Sequence, residues 1–264
     1  MPRREQSGEW IVEMRNISKS FGSVKANEGI DLAVREGSVH CLIGENGAGK
    51  STVMSILYGL IQPDSGEIRV RGRTVSMKGP QDANALGIGM VHQHFKLVDS
   101  FTVAENIVMG REPTRWLRLN RKAAADITRR LSEQYGLAVD PSAKVKDLPV
   151  GVRQRVELLK ALHRGSDVLV LDEPTAVLTP QESKELFATL RHLTDAGKTI
   201  ILITHKMEEV ERVADRVTVL RRGRIAGSLE RADFDEKKLS VMMVGREVAE
   251  TLEKAPAKLG AIVL

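Results

Sequence analysis

Gly44, Gly49, Lys50 and Ser51 stand at the spacing G-x-x-x-x-G-K-[ST], which is that of a loop that cradles phosphate. The full segment is Gly44-Glu45-Asn46-Gly47-Ala48-Gly49-Lys50-Ser51-Thr52. An apolar run, Val39 to Ile43, leads into it, and a helix-compatible run, Ser51 to Tyr58, leaves it. Each residue type has a physical task. Glycines let the backbone turn so that successive N–H groups point inward at phosphate oxygens. A helix beginning near Lys50 presents unpaired N–H groups and a partial positive charge to the same anion. The Lys50 ammonium is expected to reach the β- and γ-phosphates of a nucleoside triphosphate, and the Ser51 hydroxyl to bind Mg²⁺.

Three further strand ends carry chemistry. Val168-Leu169-Val170-Leu171 ends in Asp172-Glu173. Four consecutive apolar residues predict a strand buried on both faces, hence a parallel sheet. In ATPases with such a loop, that end faces the nucleotide. Asp172 is then expected to hold Mg²⁺ and Glu173 to accept a proton from, or orient, the attacking water. The run Ile200 to Thr204 ends in His205, which can reach the γ-phosphate edge, and the run from Ile88 ends at Gln93, which could ligate Mg²⁺ or position water. Taken singly, each has an ordinary reading: surface acids, a structural histidine, a polar strand tip. Their common dependence on one phosphate loop is what favours chemistry.

The elements that position these residues follow from pattern. Trp10 to Ile17 alternates as a strand, Phe21-Gly22 reads as a turn, and Gly29 to Val34 as a second strand before the loop strand at 38–43. Glu67 to Arg73 alternates as one edge strand, and Ile88 to Gln93 as another apolar strand. From Phe95 to about Gly165 the pattern is helical. Thr102-Val103-Ala104-Glu105 is a capping box, Asn120 caps a helix from Arg121 to Tyr135 that Gly136 ends, and a third helix spans about Val152 to His163. Ala124, Ile127, Leu131 and Tyr135 fall on one face of the second of these. Thr179-Pro180-Gln181-Glu182 starts a helix whose core face carries Leu186, Phe187, Leu190 and Leu193. A strand at 199–204, a hairpin over 216–228 and a terminal helix over 235–245 complete a three-layer α/β domain with an inserted helical lobe.

Composition narrows the function classes. Hydrophobic content of 42% with 28% charged residues is that of a globular chain, and 264 residues suffice for a large core. Aromatic residues make up 3%, which argues against stacking on single-stranded nucleic acid. The net charge of +5 is dispersed, with small clusters at Arg129-Arg130 and at Arg221-Arg222 with Arg224, which read as solvated surface or, second to that, as contacts for lipid headgroups or a polyanion; no nucleic-acid partner is expected. Cys41 is the single cysteine and lies in the apolar run before the loop, so a buried small hydrophobe is expected there, with no disulfide within the chain. No run approaches the 18 apolar residues of a membrane span.

Together these segments resemble an ABC-type ATPase over about residues 10–245. Gly44 to Ser51 is similar to the Walker A motif, Gln93 in Met90-Val91-His92-Gln93-His94 to the Q-loop, and Leu171-Asp172-Glu173-Pro174-Thr175 to Walker B and its continuation. Thr179 stands at the D-loop position, where the family's usual residue is aspartate, and His205 at that of the switch histidine. Phe21 falls where the family places an adenine-stacking aromatic. Leu148-Pro149-Val150-Gly151-Val152 stands where the family's signature reads Leu-Ser-Gly-Gly-Gln, a departure that puts the trans site it serves in doubt. The segments Gly-Glu-Asn-Gly-Ala-Gly-Lys-Ser-Thr, Met-Val-His-Gln-His-Phe and Pro-Thr-Ala-Val-Leu-Thr-Pro-Gln-Glu look most like importers of simple sugars and nucleosides, whose chains carry two ATPase halves.

The resemblance implies a P-loop NTPase (RecA-like) core at 10–93 and 166–230 with an antiparallel β subdomain. It further implies a helical lobe at 94–165, a C-terminal helix at 231–245, and at 246–264 a linker and the start of a second half, which would account for the chain stopping in apolar Ala261-Ile262-Val263-Leu264. Residues 1–9 are polar and are expected to be disordered. It implies ATP and Mg²⁺, with ATP sandwiched between this half and a second ATPase half. The expected partners are transmembrane permease subunits and, through them, an extracytoplasmic substrate-binding protein. The expected place is the cytoplasmic face of the membrane. Two competing readings are a soluble ABC ATPase acting on ribosomes or DNA, and a non-hydrolysing regulatory half.

Overall fold

The computed structural model describes residues 10–93, 95–116 and 118–245. The expectations for 1–9 and 246–264 lie outside the described residues. In chain order the elements are β1 (Trp10–Phe21), β2 (Val24–Arg35), β3 (Val39–Ile43), α1 (Lys50–Leu57), β4 (Ser65–Val70), β5 (Arg73–Val75), α2 (Pro80–Ala85) and β6 (Ile88–Val91). Then come α3 (Val103–Val108), a two-stranded ribbon β7 (Thr114–Arg115) and β8 (Arg118–Leu119), α4 (Arg121–Tyr135) and α5 (Val150–His163). The last stretch holds β9 (Val168–Asp172), α6 (Pro180–Asp195), β10 (Thr199–Thr204), α7 (Met207–Val213), β11 (Arg216–Arg221), β12 (Arg224–Glu230) and α8 (Glu236–Val244).

The central sheet has the order β12-β11-β3-β10-β9-β6. The neighbours from β11 to β6 are all parallel, and only β12 runs antiparallel, as the return strand of a hairpin. β3, β9 and β10 are apolar on both faces, and the strand period of two divides their side chains between two cores. Cys41, Leu169, Leu171, Ile200 and Leu202 face one, with α5, α6 and α7. Leu42, Val168, Val170, Ile201 and Ile203 face the other, with α1 and a second, antiparallel sheet of order β2-β1-β4-β5. This is the expected three-layer P-loop core with an antiparallel β subdomain. Each buried aliphatic side chain contributes about 1.5–3 kcal/mol, so sandwiching β3, β9 and β10 makes their carboxyl ends the rigid floor on which the loops stand.

Local signals hold where they rest on side-chain chemistry. Thr102 with Glu105 and Thr179 with Glu182 form reciprocal capping boxes, and Asn120 accepts from Ala123 N. Gly136 closes α4 in the left-handed conformation. Leu186, Phe187, Leu190 and Leu193 are the buried face of α6, and Cys41 is fully buried.

Several boundaries differ from expectation. Glu67 to Arg73 is not one edge strand: Arg71 and Gly72 turn with positive φ, so β4 lies inside the antiparallel sheet and β5 is its edge. β1 and β2 reach 21 and 24, joined by a tight turn, because their tips are exposed and carry no apolar alternation to reveal them. β6 stops at Val91, so Gln93 stands in a bend beyond it. On α4, Thr128 is buried and bonds back to Ala124 O, while Ile127 and Leu131 are only partly covered. The short elements α2, α7 and β7–β8 escaped pattern reading, being too brief to show a period.

Candidate active site

β3 lies between β10 and β11 and carries the phosphate loop at its carboxyl end. The loop is pressed against its neighbours. A Cβ on Gly44 would fall 2.2 Å from Leu220 O, and one on Gly49 2.5 Å from Ala26 O, so both positions admit only glycine. Asn27 Nδ2 donates to Gly49 O (3.2 Å), and Gly223 N to Ala48 O (3.0 Å), fixing the loop to β2 and to the β11–β12 turn. The first hydrogen bond back from α1 is Val53 N to Gly49 O (3.1 Å). The N–H groups before it are those a helix leaves without intrahelical acceptors. α1 has no side-chain cap and no acid in its first turn.

Lys50 is only 6% exposed, and its Nζ donates to Gly44 O (2.7 Å) and Glu45 O (3.0 Å). Burial pushes its pKa down, opposed by the negative charges of Glu173 and Asp172. A buried ammonium held by neutral carbonyls, beside uncapped helix N–H groups, fits a polyphosphate.

Asp172 is the last residue of β9 and is half-buried. Burial, with the Glu173 charge, raises its pKa above the ordinary carboxylate value, while Lys50 pulls it down. Glu173 follows at φ +45°, a left-handed conformation that costs a non-glycine residue of order 1–3 kcal/mol and gathers at functional sites. It is held there by Glu173 N donating to Ile203 O (3.0 Å). Its Oε1 lies 3.1 Å from His205 Nδ1. Lys50, Asp172, Glu173 and His205 thus meet at the carboxyl edge of adjacent parallel strands. Asp172, Ser51 and Gln93 offer hard oxygen atoms of the kind Mg²⁺ takes beside phosphate and water, so the donor set fits that ion.

Among the described residues, no hydrogen bond or ion pair joins Gln93, Phe21 or residues 148–152 to Lys50, Asp172, Glu173 or His205. Gln93 is exposed, two residues past the final β6–β9 pair of Val91 with Leu171. Phe21 is 49% exposed at the tip of the β1–β2 hairpin, with Lys19 Nζ 5.7 Å from its ring centroid. Leu148 to Val152 stand at the start of α5. Pro149 is its N-cap and supplies no side-chain bond. Gly151 N donates instead to Glu182 Oε1 (3.1 Å). Glu182 Oε2 meanwhile accepts from Thr179 N (2.9 Å), so the D-loop position and the signature position share one carboxylate. Among the described residues no hydrogen bond or ion pair joins 148–152 to the phosphate loop. Sequence reasoning missed this second role of Glu182, which a capping box does not announce. It also missed Glu209, whose burial nothing in an acidic first turn of a helix foretells.

The model of the ABC transporter family matches residues 27–176. Over 256 residues the chain is 53% identical to the guanosine import ATP-binding protein NupO of Bacillus subtilis, covering 97% of this chain and 50% of that protein. It is 48% identical over 282 residues to the glucose import ATP-binding protein TsgD13 of Haloferax volcanii, covering 96% and 51%. The chain therefore spans about half the length of the curated relatives it matches. Among solved structures, the ADP conformation of MJ1267, an ATP-binding cassette of an ABC transporter, superposes with a TM-score of 0.78 at 25% identity, covering 90% of this chain and 100% of that one.

Proposed function

The chain belongs to the ABC transporter family, and from that membership we propose that it is an ATP-binding and ATP-hydrolysing half that powers an importer of a nucleoside or simple sugar. The observation that carries this reading is the convergence of buried Lys50 with the partly buried Asp172 and Glu173 and the exposed His205 on the carboxyl edge of the parallel sheet. The cargo class rests on the names of the relatives, a guanosine import and a glucose import ATP-binding protein.

In this reading the N–H groups of Gly44 to Thr52 cradle the phosphates and Lys50 pairs with the β- and γ-phosphates. Ser51, Asp172 and Gln93 hold Mg²⁺, which when bound offsets phosphate charge. Glu173 orients the attacking water and takes its proton. His205, tethered through Nδ1, keeps Nε2 for the γ-phosphate edge. Phe21 stacks on adenine. Residues 10–93 and 166–230 act as the nucleotide core, 94–165 as the lobe that transmits closure, and 231–245 as a C-terminal helix. Residues 246–264 act as a linker toward a second ATPase half, which completes the sandwich over ATP.

No described helix is long and apolar enough to cross a membrane. The import ATP-binding relatives support transmembrane permease subunits as the partners through which ATP hydrolysis is coupled to transport. These in turn receive cargo from an extracytoplasmic binding protein, with the ATPase at the cytoplasmic face. The test is reconstitution of the full-length protein with its permease in vesicles. ATP-driven uptake of labelled guanosine or a simple sugar, lost in Lys50→Ala, supports the reading. Failure to associate with any permease, with ATP turnover intact, contradicts the transport assignment.

A further inference from the structure

Behind the candidate site sits a carboxylate with no part in the chemistry above. Glu209, in the first turn of α7, is 5% exposed. Its Oε2 accepts from Thr204 Oγ1 (2.6 Å), and its Oε1 accepts from Thr175 Oγ1 and lies 3.4 Å from Lys206 Nζ. Lys206 closes the group, donating Nζ to Thr175 Oγ1 (3.2 Å) and its backbone N to Thr204 Oγ1 (3.1 Å). Thr175 and Thr204 are themselves 4% and 2% exposed.

A buried carboxylate is costly unless fully hydrogen-bonded, and a network with every member satisfied is rigid. What this one joins is specific. Thr204 directly precedes His205, and Thr175 stands two residues after Glu173. The strained turn at Glu173 is hung at its start on Ile203 O and closed by Ala176 N donating to Glu173 O (3.1 Å). Glu209 grips Thr175 inside that turn and Thr204 at the neighbouring strand tip. One side chain therefore spans both segments whose outward residues meet at 3.1 Å.

We propose that Glu209 is a positioning residue that sets the Glu173 carboxylate and His205 imidazole in register for hydrolysis. The inference rests on the hydrolytic reading of the site. Glutamine at this position keeps the shape but presents an NH₂ group to hydroxyls that already donate, so one arm of the clamp opens. A misplacement of about 1 Å at a reacting group can cost about a hundredfold in rate.

The test measures steady-state ATP turnover of the full-length protein and the His205 imidazole NMR signal of this chain, assigned by its loss in His205→Gln. In Glu209→Gln, kcat is expected to fall about ten- to a hundredfold while KM for ATP changes less than about twofold, and the His205 signal is expected to move. Thr175→Val and Thr204→Val should act the same way, and the serine variants at both positions should restore near wild-type values. These threonine pairs decide the matter if Glu209→Gln does not fold. A lowered Tm with unchanged kcat and an unmoved His205 signal would show Glu209 to be structural only and overturn the proposal. If Glu173→Gln keeps wild-type turnover, the hydrolytic reading falls. A His205 signal that still moves in Glu209→Gln then upholds the clamp as geometry.

Discussion

His205 Nδ1 lies 3.1 Å from Glu173 Oε1, across the tips of two adjacent parallel strands. With Nδ1 protonated, the imidazole donates to the carboxylate, which fixes the ring and leaves Nε2 free. The carboxylate in turn is turned toward the histidine by the left-handed backbone at Glu173. The proposed general base and the proposed γ-phosphate contact are therefore one hydrogen-bonded unit.

Lys50→Ala is expected to abolish tight Mg-ATP binding. Lys50 is buried against loop carbonyls, so its charge meets phosphate with little solvent screening. Charged hydrogen bonds contribute about 1.5–3 kcal/mol each, and losing two or more should weaken affinity by over about a hundredfold. Calorimetric titration checks this; unchanged affinity refutes the loop assignment.

Phe21→Ala is expected to weaken ATP and GTP by similar factors, on the order of 1–3 kcal/mol by analogy with base–aromatic stacking. Phe21 stands half-exposed with Lys19 Nζ over its ring, and stacking on a ring face does not distinguish one base from another. A loss confined to one base would point to a different pocket.

The Mg²⁺ requirement should steepen as pH falls. Burial and the Glu173 charge raise the pKa of Asp172, so protons compete with the metal for this carboxylate below that raised value and release it above. The Mg²⁺ concentration for half-maximal ATP binding should rise on acidification, and Asp172→Asn should flatten the trend. A flat profile in the wild type removes Asp172 from the metal site.

The two sites of the full-length protein should be unequal. Pro149 offers neither a hydroxyl nor an N–H, Val152 offers no side-chain donor, and the Gly151 N–H is already given to Glu182. Losing a preorganised donor at a transferring phosphate costs roughly 2.7–4 kcal/mol of barrier, on the scale of oxyanion-hole deletions. Single-turnover hydrolysis, with each half's Walker glutamate neutralised in turn, should show the site completed by this signature to be slower by about a hundredfold or more. Pro149→Ser with Val152→Gln should recover part of that rate. Equal rates and no gain in the double variant contradict the asymmetry.

Much of this was legible in the sequence because the chemistry sits at strand ends. The mainly apolar runs before Gly44, Asp172 and His205 marked three buried strands, and side-chain caps at Thr102, Asn120 and Thr179 marked helix starts. What stayed hidden depends on contacts between distant segments. Gly151 and Glu182 are 31 positions apart, Thr175 and Glu209 are 34 apart, and neither acid differs in its local sequence from one facing water. The exposed hairpins β1–β2 and β4–β5 were blurred for the opposite reason: their polar tips carry no burial pattern.

The most direct test of Glu173 as the base is Glu173→Gln in the full-length protein, with ATP affinity and turnover measured on the same sample. An amide cannot take the proton from water, so affinity should stay within about twofold while turnover at this half's site falls at least about a hundredfold, the range general-base catalysis supplies. Turnover that stays at the wild-type rate with ATP bound would contradict it.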